Sequence, residues 1–134
     1  IWVFNTHLDH VGKKARLESV KLIRDKMHEL NPENYPAVLM GDFNATPGDD
    51  PIQYLRVQLK DAREISQSPP YGPQGTFNGF QWSSADSSRN RIDYIFVSTQ
   101  RVEVLKYGVL NDGLNGRYPS DHWPVFAIIN TRKD

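Results

Sequence analysis

The pattern that most constrains this chain is a series of short apolar runs, each breaking off against a polar cluster. Ile1–Phe4 runs into Asn5-Thr6-His7-Leu8, and Ala37–Met40 runs into Gly41-Asp42-Phe43-Asn44. Ser120-Asp121-His122 stands just ahead of the apolar stretch Trp123–Ile129, and Arg91-Ile92-Asp93-Tyr94 opens a further apolar-rich segment that ends at Ser98. Short apolar runs bounded by turn formers read as buried strands. A rigid sheet converges strand-end side chains from distant parts of a sequence on one point, which is how many enzymes hold their reacting groups. The clusters supply carboxylates, imidazoles and an amide, the groups that metal-assisted cleavage of a phosphate ester requires.

Between the strands, apolar residues recur at Leu17, Val20, Ile23, Met27 and Leu30 with charges between them, which predicts a helix lying on a sheet and ended by Asn31-Pro32. Pro51–Leu59 reads as a short second helix. From Ser66 to Gly79 the density of proline and glycine predicts a long ordered loop with a strand near Thr76-Phe77, and Ser83–Asn90 reads as a mobile polar segment. Arg91–Ser98 and Val102–Leu110 read as adjacent strands joined by a short turn, and Pro124–Asn130 reads as a final strand. Strands outnumber helices. The expectation is one α+β unit over residues 1–134, mainly one mixed or antiparallel sheet with outer helices.

Composition narrows the function more by exclusion than by suggestion. Sixteen basic and sixteen acidic side chains cancel, which removes the bulk electrostatic footprint of a nonspecific nucleic-acid coat protein but leaves a local basic strip around a cleft open. With no cysteine, there is no disulfide framework, thiolate zinc site or cysteine nucleophile, so any metal must be held by oxygen or imidazole. No apolar stretch reaches membrane-spanning length and the amino end lacks a signal-type core, so a soluble globular protein is expected, with no compartment assigned. Because the sequence opens inside a strand, the true amino terminus is expected to lie upstream.

Each cluster carries a chemical reading beside a plainer one. In the second, glycine permits a sharp turn, and Asp42 and Asn44 project from the same side of an extended segment. Asp42 can then activate water while Asn44 hydrogen-bonds a phosphoryl oxygen, although the tetrapeptide alone reads more simply as an Asp/Asn turn. Asp121 and His122 point oppositely if extended, so the acid that orients His122 must come from elsewhere, and Asp93 is the candidate. Held in this way, His122 has a fixed tautomer and a raised pKa, suiting it to take a proton from water. His7 is either a second phosphate-contacting imidazole or a structural strand-end residue. Alternation places Arg91 with Asp93 on one face and Ile92 with Tyr94 on the other, and a cross-strand salt bridge is expected for Arg91. Asn78, Arg89 and Arg117 are candidate substrate contacts. Asn78 lies among Phe77, Phe80 and Trp82, aromatics that read as a wall against a compact substrate, a stacking platform for bases, or core filling.

Taken in order, Asn5-Thr6-His7-Leu8, Gly41-Asp42-Phe43-Asn44-Ala45-Thr46-Pro47, Arg91-Ile92-Asp93-Tyr94-Ile95-Phe96-Val97-Ser98 and Ser120-Asp121-His122-Trp123-Pro124-Val125 resemble the carboxy-terminal half of the endonuclease/exonuclease/phosphatase superfamily. That group includes deoxyribonuclease I, abasic-site endonucleases, inositol polyphosphate 5-phosphatases and neutral sphingomyelinases. The resemblance implies a four-layer α/β/β/α sandwich whose amino-terminal half is absent from this chain. It implies that Asp42 activates the attacking water and joins Asp121 at the metal, and that Asn44 contacts phosphoryl oxygens. It makes His122 the general base and Asp93 the acid that holds it. His7 matches the second active-site His of the deoxyribonuclease I and phosphatase branches. The family's metal-binding Glu is expected upstream, because Glu18, Glu29, Glu33, Glu64 and Glu103 all stand in solvent-facing contexts.

The implied cofactor is magnesium or manganese, since carboxylate and amide oxygens are hard ligands. The implied activity is metal-dependent hydrolysis of a phosphate ester, as a phosphodiesterase or phosphatase of a small-molecule or lipid substrate. A nuclease acting on DNA or RNA is the alternative. A noncatalytic half-domain that binds a partner through an exposed sheet is the competing class. For the isolated chain, inactivity and self-association are expected, with the missing amino-terminal half as its natural partner.

Overall fold

The computed structural model describes residues 1–82 and 90–131. Its elements run in the order β1 (Trp2–His7), α1 (Lys13–Leu30), β2 (Ala37–Asp42), α2 (Asp50–Gln58), β3 (Leu59–Asp61), α3 (Ala62–Ile65), β4 (Asp93–Ser98), β5 (Val102–Val109) and β6 (Val125–Thr131). Four strands form a mixed sheet in the order β1-β2-β4-β3, with β1 parallel to β2 and the other pairs antiparallel. β5 and β6 form a separate antiparallel pair. β4 and β5 are therefore consecutive but not hydrogen-bonded to each other. The turn between them carries the chain from one sheet to the next.

Strand alternation explains the layering. In β2, Ala37 and Leu39 face a core that includes Val20 and Met27 of α1 and Ile52 and Leu55 of α2, while Val38 faces a second core with Val104, Tyr107 and Val109 of β5. β4 repeats the division, with Tyr94 and Phe96 on the helix side and Ile95 and Val97 on the other. The chain thus builds three layers, helices on the four-stranded sheet and that sheet on the β5–β6 pair. Ile1, Trp2 and Val3 at the outer edge strand remain exposed.

α1 departs from its expected stripe in an informative way. Its buried residues are Arg16, Val20, Arg24 and Met27, whereas Leu30 is exposed. Both arginines can be buried because polar groups meet them: Arg16 Nη1 donates to the Asp9 carbonyl at 2.9 Å, and Arg24 donates to Gln58 of α2. The helix ends where expected, and Asn31 clamps both the N–H and the carbonyl of Tyr35. Near Thr76-Phe77, among the described residues, a single bridge from Phe77 to His122 stands in place of a full strand. Ser83 to Arg89, including the polar segment and the Arg89 contact expected from sequence, lie outside the described residues.

Candidate active site

Sheet register assembles the site. His7, the last residue of β1, is the lateral partner of Asp42, the last of β2, and Asp42 is the partner of Asp93, the first of β4. Three of the sequence candidates therefore stand side by side at one end of the sheet. Gly41 makes the close approach of β1 possible: its φ is +139°, and a Cβ there would fall onto the Thr6 carbonyl oxygen. His122 arrives from the other layer. It is docked by its bridge to Phe77 and by the Trp123 N–H, which donates to the Thr76 carbonyl at 2.8 Å.

The expected orientation of His122 is present. Its Nδ1 lies 2.8 Å from Asp93 Oδ2, and because an ionised carboxylate only accepts, Nδ1 carries the hydrogen, so that in the neutral ring Nε2 keeps its lone pair. That Nε2 faces Asp42 Oδ2 at 3.8 Å, and His7 Nε2 approaches the same oxygen at 3.4 Å. The Phe77 ring stands edge-on to the imidazole, with centroids 5.1 Å apart. A cleft of about 340 Å³ is lined by Asn5, Asp42, Asp93, Ser120 and His122 on its polar side.

Asn44 joins Asp42, but not through strand alternation. The strand stops at Asp42, Phe43 turns into the core, and Asn44 takes φ 46°. Its N–H donates to Asp42 Oδ1 at 2.8 Å, and its amide nitrogen donates to the Leu8 carbonyl at 2.8 Å, with Asp42 Oδ2 at 3.4 Å. The Asx turn and the candidate site share the same residues here.

Other candidates fall elsewhere. Asp121 does not join the cluster among the described residues: the metal-ligand set that converges is Asp42, Asp93 and His122, with donor atoms within 4.8 Å of one another. Asp121 is fixed by its backbone carbonyl, which accepts from the N–H groups of Asn78 and Gly79. Asn78 is 4% exposed, and its side chain is occupied, donating to the Ser120 carbonyl and accepting from the Phe80 N–H. It positions the Ser120-Asp121-His122 segment. Arg117 is exposed in the Leu114–Arg117 turn. Arg91 does not share a face with Asp93. It precedes β4, and its guanidinium pairs bidentately with the buried Asp61 at 3.1 and 2.6 Å and sits 4.5 Å over the Tyr94 ring.

Two supporting residues were not foreseen. Thr76 is fully buried, its hydroxyl accepts from the N–H groups of Ile92 and Asp93, and it also hydrogen-bonds the Asp93 carboxylate. Tyr94 places its hydroxyl between the carbonyls of Ala45 and Arg91, at 3.0 and 2.8 Å, tying the Asn44 turn to the start of β4. No local signal distinguishes such a Thr or Tyr from ordinary strand residues. Their partners are distant in sequence.

Burial is the largest single influence on His122 and disfavours its charge, but the hydrogen bond and charge of Asp93, joined by the charges of Asp42 and Asp121, outweigh it and hold the pKa above 6.5. Burial raises the Asp93 carboxyl, against the opposing hydrogen bonds of Thr76 and His122. In the metal-free protein His122 is expected to titrate above pH 6.5 by proton NMR, and Asp93→Asn to lower that value. The fold binds this proton more tightly than the unfolded chain. Its contribution to stability is therefore complete below the unfolded pKa and lost as pH rises through the folded one. A His122 titration unaffected by Asp93→Asn would break the pairing.

The donor set suits a hard divalent cation. Asp42 Oδ2 is ringed by Asn44, His7 and His122 nitrogens at 3.4 to 3.8 Å, none at full hydrogen-bond length, which leaves this oxygen available. Asp93 is already engaged by His122 and Thr76.

The profile of the endonuclease/exonuclease/phosphatase family matches residues 5–122. Among solved structures, a functionally unknown conserved protein from Enterococcus faecalis has a TM-score of 0.88 and 35% identity, covering 97% of this chain and 50% of its own. A mannosyl-6-phosphatase from Bacteroides thetaiotaomicron is 40% identical with a TM-score of 0.82, covering 95% of this chain and 50% of its own. TDP2 from D. rerio, complexed with a single strand DNA product, shares the fold at a TM-score of 0.70 and 20% identity, over 96% of this chain and 56% of its own. The chain spans about half the length of these structures. A comparison with curated protein sequences finds no match.

Proposed function

The chain belongs to the endonuclease/exonuclease/phosphatase family, and from that premise we propose that it carries the water-activating half of a divalent-metal-dependent phosphoesterase whose substrate is a small polar phosphate ester. The observation that carries this reading is the Asp93–His122 pair, with the free Nε2 of the imidazole turned toward Asp42 at the end of the sheet. Family members are hydrolases of phosphate esters, and the 40% identity to a protein described as a mannosyl-6-phosphatase supports a small-molecule phosphate over a polynucleotide.

In this reading His122 Nε2 takes a proton from the attacking water while Asp93 keeps the ring in the productive tautomer and stabilises the imidazolium that forms. Asn44 and His7, at the rim of the same cluster, contact phosphoryl oxygens. Asp42 orients the water and is the residue of this chain best placed to hold the cation, with Asp121, the sequence neighbour of His122, as a further candidate ligand and the remaining ligands supplied from outside these residues. Magnesium or manganese, when bound, neutralises phosphate charge and stabilises the leaving oxygen. Activity belongs to the complete protein.

A substrate panel tests this. With magnesium, the complete gene product is expected to release phosphate from a hexose 6-phosphate with a kcat/KM at least about tenfold above that for cleaving a single-stranded oligonucleotide, a margin of roughly 1.4 kcal/mol. Preference for the oligonucleotide would make the protein a nuclease. Inertness toward both, with metal present, would contradict the small polar phosphate ester as substrate.

A further inference from the structure

At the opposite end of the four-stranded sheet from Asp42 lies a second cavity of about 270 Å³. Ala37, the first residue of β2, lines it, so five residues of strand, roughly 16 Å at 3.3 Å per residue, separate it from the candidate active site. Arg24 of α1 lines this cavity and is 7% exposed. Its Nε and Nη2 donate to Gln58 Oε1 at 2.9 and 2.8 Å, and Nη2 also donates to His28 Nε2 at 2.9 Å. Nη1 has only the thioether sulfur of Met27, at 3.7 Å, a weak acceptor. Among the described residues no carboxylate forms an ion pair with this guanidinium. Gln58 is a neutral dipole, and although Tyr54 and Asp25 favour the charge, burial is the larger influence and holds the arginine below its ordinary pKa.

A buried cation without a counter-charge is costly, and pairing it with an anion recovers much of that cost. Arginine suits a planar carboxylate in particular, because its fork of N–H groups matches the two oxygens. Asn34, Gln58, Thr99 and Gln100 line the same cavity and bring amides and a hydroxyl that can exchange hydrogen bonds with a hydroxylated frame. One uncompensated positive charge calls for one negative charge. The volume sits just under the roughly 300–1,000 Å³ of small-ligand sites, which excludes a large ligand. We propose that this cavity is a binding site for a small hydroxylated carboxylate, the chemistry of a sugar acid, seated on Arg24 and separate from the catalytic end of the sheet.

The test uses the complete gene product with sodium gluconate as probe and glucose as its uncharged counterpart. Gluconate at tens of millimolar is expected to raise the melting temperature and to give saturable binding by calorimetry, while glucose does neither. Arg24→Gln should remove the response. Thr99→Trp, which fills the cavity from its exposed rim and leaves the arginine contacts intact, should also remove it, so the result does not depend on the fold tolerating loss of Arg24. Asp42→Asn should retain the response, because that change alters only the other end of the sheet. No response to gluconate, an equal response to glucose, or a response surviving Thr99→Trp or abolished by Asp42→Asn would each overturn the assignment.

Discussion

Replacing His122 with alanine in the complete protein is expected to lower kcat/KM for a phosphate ester by roughly 10²- to 10⁴-fold, the range that a positioned general base contributes. The melting temperature should change little. The ring is partly exposed, and its segment is held through backbone groups, by the Trp123 N–H on Thr76 and the Asn78 and Gly79 N–H groups on Asp121. Asp93→Asn should reduce turnover in the same direction, because an amide no longer selects the Nδ1–H tautomer or stabilises the imidazolium. The two effects should be far from additive, since both act through one imidazole. Near-normal turnover in either variant would mean that another group activates water.

The largest effect on stability is expected away from the reacting groups, at Asp61. Its side chain is fully buried and pairs bidentately with Arg91, whose own side chain is 5% exposed. Asp61→Ala leaves a buried guanidinium without its partner and is expected to cost about 3–5 kcal/mol in denaturant unfolding. Removing both charges together, as Asp61→Leu with Arg91→Met, should cost markedly less than the sum of the single changes, because neither charge is then stranded. The pair also bears on the site, since Arg91 lies over Tyr94 and Tyr94 holds Ala45 beside the Asn44 turn. A loss below about 1 kcal/mol for Asp61→Ala would show that Arg91 reaches water or another acid, because that is the range of exposed pairs.

Much of the candidate site was legible because strand-end clusters are local signals. The opposite directions of neighbouring side chains argued against Asp121 as the partner of His122 and called for a more distant acid, the resemblance pointed to Asp93, and the two side chains meet at 2.8 Å. What stayed hidden depends on which distant segments meet. Nothing local says that β5 pairs with β6 instead of β4, or that His7, Asp42 and Asp93 share one lateral row. β3 and α3 are three and four residues long, too short for a periodicity to show, yet they deliver Asp61. Arg16 and Arg24 count only as charges between the apolar positions of the helix pattern until their partners, Asp9 and Gln58, are in place. Asn78 stood as a candidate substrate contact among the aromatics of its loop. Only the folded chain shows both ends of that amide taken by backbone.

Metal-dependent turnover at this site is the central claim, and one assay addresses it most directly. The complete gene product is to be assayed on an aryl phosphomonoester and a bis-aryl phosphodiester, first after exhaustive chelation and then after adding back magnesium or manganese. The account predicts loss of hydrolysis under chelation, recovery with either ion, and no recovery when Asp42 has been changed to alanine, since that carboxylate is the oxygen left available at the strand end. Full turnover in excess chelator, or full recovery in the Asp42→Ala protein, would contradict it.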